Sequence, residues 1–548
     1  MIVFSAAVLI ICQVLQPAVG WREVPAVHRR WYRERRRHLS PSPPLLPRKW
    51  QPALNQPSNA LFVRGGDTSE VKDPMDIPLI PHIEEPEEWA QEKRAVVLMD
   101  IFSEYHGFYL SHRAKEAYGA ATITVFSDYI RGYFLMTQPD NLPKLMSMCM
   151  PCGEAQVDEW RRHVDGLELV ALSCESDSGL ADAERLGKLL EVTYRDEEND
   201  ARRNKFLMNQ AVEEAGIPVV RQRLCRTVEE AISFAEELGV KDETTNENEH
   251  EPNNNPRVVI KPTRGVASDD VFMCDSVDSV REAFATIIES VVFGSPTQKN
   301  EAALVQEFAV GQEYAIDIVS KDGEHKVTAI WKYDKRPANG APFVYFATKL
   351  FDGEEESEVI CSYIKQCLDV LDKRWGLSHN EVILTKDGPR LVEVNCRQHN
   401  MDFLPLVMSC IGYNSFDLLL ESYLGGKGDS FYPQHSGHPR IPWEAIPDLP
   451  SLQRHGAMIH LVNFKEGTLR AVNNEALMEI QSMESVLDLE VYAPFLEIGN
   501  EIEPTINIKT DAGWVQLVNE DHASFQRDYD RIVQLMPTLF EVEKRSST

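Results

Sequence analysis

The sequence predicts a protein of mixed α/β and α+β class with several domains. Strand and helix patterns alternate from about residue 93 onward, which is typical of α/β proteins. Hydrophobic residues make up 43% of the chain and charged residues 26%, as in ordinary globular proteins. At about 150 residues per domain, 548 residues suggest three or four domains. We expect an open α/β domain at 93–195, a central domain at 200–430 and an α+β lobe at 440–540.

The N-terminal domain is predicted from short apolar runs that suit buried strands, each followed by a helical pattern. The predicted strands are Ala95–Asp100, Ala121–Phe126 and Leu167–Leu172, and the predicted helices are 107–118 and 180–190.

The central domain opens with an amphipathic helix over Arg202–Ala215, closed by Gly216 with Pro218 behind it. Residues 241–256 are almost entirely polar, and we expect a disordered surface insertion there. Dense strand signals follow at Val258–Lys261, Ala303–Phe308, Tyr314–Ser320, His325–Tyr333, Glu381–Thr385 and Arg390–Asn395. Lys386-Asp387-Gly388 predicts a tight turn that pairs the last two. The C-terminal lobe ends in a predicted helix at 521–536.

The charge balance excludes two classes of partner. The chain has 86 acidic and 56 basic residues and a net charge of −30, which disfavours general binding to nucleic acid or to an anionic membrane. Residues 1–50 alone carry +7, which leaves −37 for residues 51–548. Ten cysteines are too few for a disulfide scaffold in a chain of this length.

The basic N-terminus resembles a targeting sequence. Ile2–Val19 is largely apolar and Ala18-Val19-Gly20 suits cleavage after Gly20, which predicts a signal peptide at 1–20, with an uncleaved membrane anchor as the alternative. The Arg- and Ser/Pro-rich stretch His28–Lys49 is similar to a transit peptide, and 21–90 reads as this segment plus a linker. The pair resembles the two-part plastid presequence of algae whose plastids lie inside the secretory system. Secretion or an endomembrane lumen is the alternative.

Lys261 is a charged residue at the end of an apolar strand, where lysine is normally excluded. The loop Pro262–Asp270 that follows contains Gly265 and Ser268. A lysine beside a loop of small residues suits a phosphate, because loop N–H groups cradle the oxygens that the ammonium neutralises. The alternative is a lysine whose ammonium simply reaches solvent.

Glu381, Glu393 and Asn395 form a candidate metal site. Strand alternation puts Glu393 and Asn395 on one face, and a hairpin brings Glu381 opposite them. Two carboxylates and an amide are the oxygen ligands that Mg²⁺ prefers. Arg397 follows on the same side and is suited to grip an anion in a bidentate manner. The alternative is a solvated edge hairpin with scattered charge.

The segment from Val305 to Asp317 predicts a strand, a turn with glycine and a second strand, with acids at Glu307, Glu313 and Asp317. Such a turn can present backbone groups to a purine and a carboxylate to ribose hydroxyls. Alone it is a generic hairpin.

The order of these motifs resembles the ATP-grasp enzymes, over about residues 93–540. Arg203-Asn204-Lys205 opens a helix, and the segments VVIKP, VQEFAVGQEYAID and EVIL-KDGPRLVEVNCR follow in the family's order. The likeness is to the carboxylate–amine ligase branch, which includes amino-acid (dipeptide) ligases and carnosine synthase. The stretch 168–187 is also similar to that branch, which often reads E-x-G-x-x-LAD-x-L there.

The resemblance implies an ATP-grasp fold with a pre-ATP-grasp α/β domain in front and an α+β lobe behind. It implies that ATP phosphorylates a carboxylate and that an amine then displaces the phosphate. The cofactors would be ATP and one or two Mg²⁺ (or Mn²⁺) ions. The partners would be a small carboxylate and an amine, with no nucleic acid and no membrane for the mature chain, and a homodimer is an open alternative.

The family's roles carry over by position. Lys205, Lys261 and Ser268 match the phosphate contacts; Glu307, Phe308 and Val310 match the adenine segment; Glu313 matches the ribose contact; Glu381, Glu393 and Asn395 match the metal ligands; Arg397 and Lys261 match the catalytic cations. Two positions depart from the pattern: Asn204 stands where the family has Asp, and Asp270 where it has Gly.

Other readings stay open at this point. A glycinamide ribonucleotide synthetase-like enzyme, a biotin-carboxylase-like enzyme and an inactive ATP-binding regulatory protein would keep the same fold. Three weaker features are the pair Cys149 and Cys152, the loop with Tyr105 and His106, and a lid or solvated hairpin at Pro337–Phe343 preceded by Trp331, Lys332 and Arg336.

Overall fold

The computed structural model describes residues 94–101, 105–137, 149–150, 154–241, 257–266, 269–293, 298–399, 403–425 and 440–543. The predicted signal peptide, the transit-like segment, the insertion beyond residue 241, Ser268 and Cys152 lie outside these residues. Among the residues in these ranges, no helix is both long enough and apolar enough to cross a membrane.

The helices and strands alternate along the chain much as the sequence pattern predicts. The strands are β1 (Arg94–Met99), β2 (Ala121–Val125), β3 (Glu168–Cys174), β4 (Gln222–Cys225), β5 (Val258–Lys261), β6 (Phe272–Cys274), β7 (Ala303–Glu307), β8 (Gly311–Lys321), β9 (Glu324–Ala338), β10 (Ala341–Leu350), β11 (Gly376–Thr385), β12 (Gly388–Asn395), β13 (His455–His460), β14 (Gly467–Val472), β15 (Val486–Val491), β16 (Glu501–Ile502), β17 (Gly513–Asn519) and β18 (Phe540–Glu543). The α-helices are α1 (Leu110–Tyr118), α2 (Asp128–Thr137), α3 (Glu154–His163), α4 (Leu180–Leu189), α5 (Lys205–Glu214), α6 (Val228–Glu237), α7 (Val277–Glu289), α8 (Glu354–Val370), α9 (Leu404–Cys410), α10 (Ser415–Leu424), α11 (Asn474–Ser482) and α12 (His522–Leu535).

The chain forms two compact units. The first is formed by the described residues within Met1–Glu175, Leu186–Tyr194 and Phe416–Ala445, and the second by those within Ser176–Arg185, Arg195–Ser415 and Ile446–Thr548. The first unit holds a parallel sheet in the order β2-β1-β3, with every residue of β1 buried. A strand buried on both faces reads as a continuous apolar run, which is why the sequence pattern finds it. The helix predicted to begin at residue 107 instead begins as a π-helical turn at Tyr105–Tyr109 that leads into α1.

The second unit contains two larger antiparallel sheets. A four-stranded sheet in the order β4-β7-β5-β6 packs its apolar face against α6 and α7. An eight-stranded sheet runs β12-β11-β8-β9-β10-β13-β17-β15, and α5 and α8 contribute to the core on one of its faces. The C-terminal lobe shares this sheet, because β13 pairs with β10 through Ala347 and Ile459. A small sheet, β16-β14-β18, completes that lobe.

The long helix predicted over Arg202–Ala215 is divided in two. Asp200–Arg202 is a 3₁₀ turn, and α5 begins only at Lys205. Asn204 separates the two because its backbone is extended and its side chain accepts hydrogen bonds from the backbone N–H groups of Phe206 and Leu207. Asn and Asp serve equally well as N-caps, so Asn204 keeps the local structure that an Asp would give.

The segment Pro337–Phe343, for which the sequence left a lid and a solvated hairpin open, forms the end of the β9–β10 hairpin. Its tip is Asn339-Gly340, both with positive φ (54° and 80°), as the tightest hairpin turns require. The Asn339 side chain donates hydrogen bonds to the carbonyl oxygens of Asn463 at 2.9 Å and Thr505 at 2.8 Å. The tip is therefore fastened to the C-terminal lobe.

Candidate active site

A cavity of about 560 Å³ lies in the second unit, lined by residues of both of its larger sheets. Among the sequence-predicted site residues, those that line it are Lys205, Lys261, Glu307, Phe308, Glu313, Glu381 and Glu393. Asn395 and Arg397 are outside the lining, although Asn395 bonds the lining residue Glu393. Val310 is also outside it and is 75% exposed. Ser268 falls in a part of the loop that is not described.

The two predicted phosphate lysines stand at neighbouring element ends. Lys205 is the first residue of α5; its Nζ lies 2.6 Å from Glu393 Oε2 and donates to the Gly265 carbonyl oxygen at 3.0 Å. Lys261 is the last residue of β5 and is buried. Burial, reinforced by the nearby charge of Lys205, lowers the pKa of Lys261 to about 8. A buried lysine in the wall of a cavity contradicts the alternative of an ammonium that reaches solvent.

The predicted phosphate loop Pro262–Asp270 is tied to the start of α5, because the backbone N–H of Lys205 donates to the Thr263 carbonyl oxygen at 2.9 Å. Asp270 has φ +52°, in the left-handed region. That conformation explains why glycine suits the position, and aspartate is among the few other residues that adopt it readily. Asp269 lines the cavity and forms an ion pair with Lys509 of the C-terminal lobe.

The predicted metal ligands come together on the β11–β12 hairpin. Glu381 and Glu393 are directly opposite each other in the strand register, and Asn395 donates through Nδ2 to Glu393 Oε1 at 3.0 Å. Burial alone would raise the pKa of both carboxyls, but His379 and Lys335 outweigh it at Glu381, and Lys205 outweighs it at Glu393. Both pKa values are therefore lowered and both groups are ionised. Two carboxylates with an adjacent amide form an oxygen-donor set that fits Mg²⁺.

Glu313, the predicted ribose contact, lies on β8 and pairs with Lys335 on β9 at 2.6 Å. Burial opposes the charge of Lys335, but the Glu313 carboxylate outweighs it and raises the pKa of the lysine. This pair is a fixed polar contact in the wall of the cavity. The sequence pattern gave no sign of Lys335, because the contact depends on the pairing of β8 with β9.

The predicted adenine segment lies where β7 ends and β8 begins. The Phe308 ring packs beside Phe343 of β10 with centroids 6.4 Å apart, and both line the cavity, so this part of the wall is apolar and aromatic. Glu307 Oε2 accepts from Arg221 Nε at 3.1 Å. Gly311 starts β8 where a Cβ would lie 2.2 Å from the Leu384 carbonyl oxygen, so only glycine fits.

Arg397 is held in place by Asp177, which was not among the predicted site residues. Its Nε donates to Asp177 Oδ1 at 2.5 Å and its Nη1 donates to the Gln398 carbonyl oxygen at 2.8 Å. Burial opposes its charge, but Asp177 outweighs that effect and raises the pKa of Arg397. Asp177 belongs to the stretch 168–187 that resembles the ligase branch, which was the only signal available.

The weaker candidates take ordinary positions. In the first unit His106 is buried, which lowers its pKa, and its Nε2 lies 3.1 Å from Ser173 Oγ. Cys149 is buried. Trp331 is buried and donates from Nε1 to Asp317 Oδ2 at 2.6 Å. Arg336 pairs with Asp334 at 2.8 Å, and Lys332 lines the cavity.

Comparison with known proteins settles the fold. Residues 254–401 match the family model described as an ATP-grasp domain. The chain has the ATP-grasp fold. An L-amino acid ligase structure from Bacillus licheniformis superposes with a TM-score of 0.56 at 16% identity, covering 83% of this chain and all of that one. A carboxyaminoimidazole ribonucleotide synthase structure from Aspergillus clavatus, complexed with ATP, gives 0.52 at 13% identity, covering 81% and 98%.

The chain is also similar in sequence to dapdiamide A synthase from Enterobacter agglomerans. It is 27% identical over 261 residues, which are 47% of this chain and 57% of the relative. The aligned part therefore spans little more than half of that relative. The resemblance to the ATP-grasp family drawn from the order of the motifs is confirmed, and the substrates belong to the proposal below.

Proposed function

We propose that the protein is an ATP-dependent carboxylate–amine ligase that joins an amino acid or small carboxylic acid to an amine. The carboxylate would first be phosphorylated by ATP, and the amine would then displace phosphate from the acyl phosphate. The observation that carries this proposal is a single cavity that pairs Lys205 and Lys261 with the opposed carboxylates Glu381 and Glu393.

Charge repulsion is the main obstacle to this chemistry, since the carboxylate and the γ-phosphate are both anions. Lys205 and Lys261 would neutralise phosphate oxygens, and Arg397, already oriented by Asp177, would hold the transferring phosphate or the substrate carboxylate. The ionised Glu381 and Glu393, with Asn395, would hold Mg²⁺, which when bound adds positive charge between the phosphates. The Phe308–Phe343 wall offers the apolar surface that a purine needs.

The relatives favour this reaction class within the fold. One is named an L-amino acid ligase and another a synthase of dapdiamide A. The first name supports an amino-acid type of carboxylate for this chain.

A substrate screen tests the proposal. The full chain is incubated with Mg-ATP and mixtures of amino acids and amines, and the release of ADP and phosphate is measured. We expect release that depends on both an acid and an amine. Binding of ATP without any release would favour the inactive regulatory protein instead.

The Glu393→Gln variant tests the metal assignment. It removes one charge from the predicted ligand set, and we expect it to abolish product formation while circular dichroism shows an unchanged fold. Glu324→Gln, on the exposed start of β9, is the matched control and should retain activity. Wild-type activity in Glu393→Gln would disprove the role of Glu393 as a metal ligand.

We further propose that the mature enzyme acts in a plastid reached through the secretory pathway. The support is the apolar segment 2–19 followed by the basic, Arg-rich stretch 28–49. Residues 1–92 fused to a fluorescent protein should direct it to the plastid in an alga with such plastids, whereas residues 1–20 alone should deliver it to the secretory route. Uniform cytosolic fluorescence of the longer fusion would contradict the proposal.

A further inference from the structure

Asp317, on β8, is a buried carboxylate with three hydrogen-bond donors around it. Trp331 Nε1 lies 2.6 Å from Oδ2, His379 Nδ1 lies 2.9 Å from Oδ1, and His399 Nδ1 lies 3.3 Å from Oδ2. Asp317 and His379 are also direct partners in the β8–β11 register. A buried carboxylate satisfied from three sides is a rigid anchor, since moving any one group would leave others unpaired.

His379 connects this anchor to the predicted metal ligand Glu381. The two residues are two apart on β11 and so share one face of the strand. With Nδ1 on Asp317, the imidazole places Nε2 at 3.5 Å from Glu381 Oε1 and 3.3 Å from the Tyr333 hydroxyl. That hydroxyl donates to the same Glu381 oxygen at 3.2 Å. Glu381 Oε1 is therefore approached by His379, which Asp317 holds directly, and by the Tyr333 hydroxyl, which contacts His379.

We propose that Asp317 and His379 are positioning residues that hold the Glu381 carboxylate in one orientation for a divalent cation, an inference that rests on the proposed function. A glutamate has several freely rotating bonds, and fixing them before the cation binds removes an entropic cost from binding. Residues that hydrogen-bond a metal ligand fix its orientation, and their loss typically weakens metal binding.

The same residues also satisfy the distances of a second metal site, since ligand atoms of Asp317, His379 and His399 all lie within 4.8 Å of one another. Two observations favour a hydrogen-bonded anchor instead. The His379 and His399 rings are stacked with centroids 3.9 Å apart, and their Nδ1 atoms address different oxygens of Asp317. Oδ2 is also engaged by the Trp331 N–H, which cannot act as a ligand.

The experiment measures Mn²⁺ binding to the full chain by electron paramagnetic resonance, at a saturating concentration of a non-hydrolysable ATP analogue. We expect His379→Gln and Asp317→Asn to weaken Mn²⁺ binding about 10- to 100-fold, the usual effect of removing such partners. His460→Gln is the matched control, because it removes a buried histidine–aspartate contact, 2.8 Å from Asp511 Oδ2, in the C-terminal lobe. It should leave Mn²⁺ binding unchanged.

Tyr333→Phe is a second variant, for use if His379→Gln does not fold. It removes only the hydroxyl that donates to Glu381, and it should also weaken Mn²⁺ binding. Wild-type Mn²⁺ affinity in the folded variants would overturn the inference, as would a stoichiometric transition metal that is lost in His399→Gln. The readout needs no substrate. A protein that binds Mn²⁺ through these residues but makes no product would disprove the proposed ligase reaction and support the positioning role.

Discussion

The surroundings of Lys261 lower the pKa of its ammonium group. The end of an apolar strand buries its ammonium, and Lys205 adds a second positive charge nearby, so its pKa falls to about 8. The lysine is then only partly protonated in mildly alkaline solution. A phosphate brought to this position meets a cation with little competing hydration.

The affinity for ATP should therefore depend on pH through Lys261. As the pH rises through about 8 the ammonium loses its proton, and the dissociation constant of ATP measured by calorimetry should rise. Lys261→Arg stays protonated and should flatten this dependence, while Lys261→Met should weaken binding about 10- to 100-fold at pH 7. Lys299→Met, at an exposed position, serves as the control. An unchanged pH profile in Lys261→Arg would contradict the phosphate role.

Single residues were predictable from the sequence where the pattern itself was violated. A lysine ending an apolar strand and two glutamates within apolar strands are exceptions to burial, and alternation with a hairpin turn brings the glutamates together, so all three are visible without a structure. Asp177 and His379 are not exceptions to any local pattern. The contact of Asp177 with Arg397 spans 220 positions, and no spacing rule connects them.

The start of α5 is the element on which the position of Lys205 depends. Asn204 accepts two hydrogen bonds from the first turn and sets where the helix begins. Asn204→Ala should lower the stability by about 1 kcal/mol and also weaken ATP binding, while Asn204→Asp should preserve both. Asn473→Ala removes the same kind of cap from α11 and should lower thermal stability without changing ATP affinity. Equal ATP affinities in both alanine variants would show that the cap does not position Lys205.

The pairing of β8 with β11 is also important for the site, because it joins the predicted adenine segment to the hairpin that carries the predicted metal ligands. In Gly311→Ala the new methyl group would meet the Leu384 carbonyl oxygen, and we expect a loss of about 1–3 kcal/mol together with weaker ATP binding. Gly132→Ala on α2 meets nothing within 4 Å and should be neutral or stabilising. Thermal unfolding and calorimetry distinguish the two, and a stable Gly311→Ala that binds ATP normally would refute the close approach.

The elements themselves were largely predictable, and the exceptions have physical causes. The strands of the central domain follow from apolar runs and a glycine turn, and β11 and β12 pair as predicted. The helix over 202–215 is divided at Asn204, which caps α5, and the 3₁₀ turn before it is held by the buried Arg202 side chain, which bonds Glu184 and the carbonyl oxygens of Leu371 and Asp372. A helical repeat in the sequence carries no record of such long-range contacts.

At the scale of the whole molecule, a strongly acidic chain concentrates cations in one cavity. Those lining it are Lys205, Lys261, Lys332, Lys335, Lys349 and Arg390. The overall charge of −30 repels polyanions. Acidic residues line the same cavity in equal number, namely Asp269, Glu307, Glu313, Asp334, Glu381 and Glu393, so a nucleotide would meet individual cations there and not a net positive lining. Composition predicts which kind of partner to doubt, and only the fold shows which cations face the cavity.

An ion pair joins the C-terminal lobe to the predicted phosphate loop, and breaking it tests whether the lobe contributes to ATP binding. Lys509 pairs with Asp269, and its loop is fixed because Thr510 Oγ1 accepts from the Ile506 and Asn507 N–H groups. Lys509→Ala would leave an unpaired carboxylate beside the phosphates and should weaken ATP binding about three- to tenfold by calorimetry. Adding Asp269→Asn should restore most of that affinity, whereas Arg454→Ala, which breaks an exposed pair with Glu520, should change nothing. Strictly additive effects of the two substitutions would exclude coupling between the lobe and the loop.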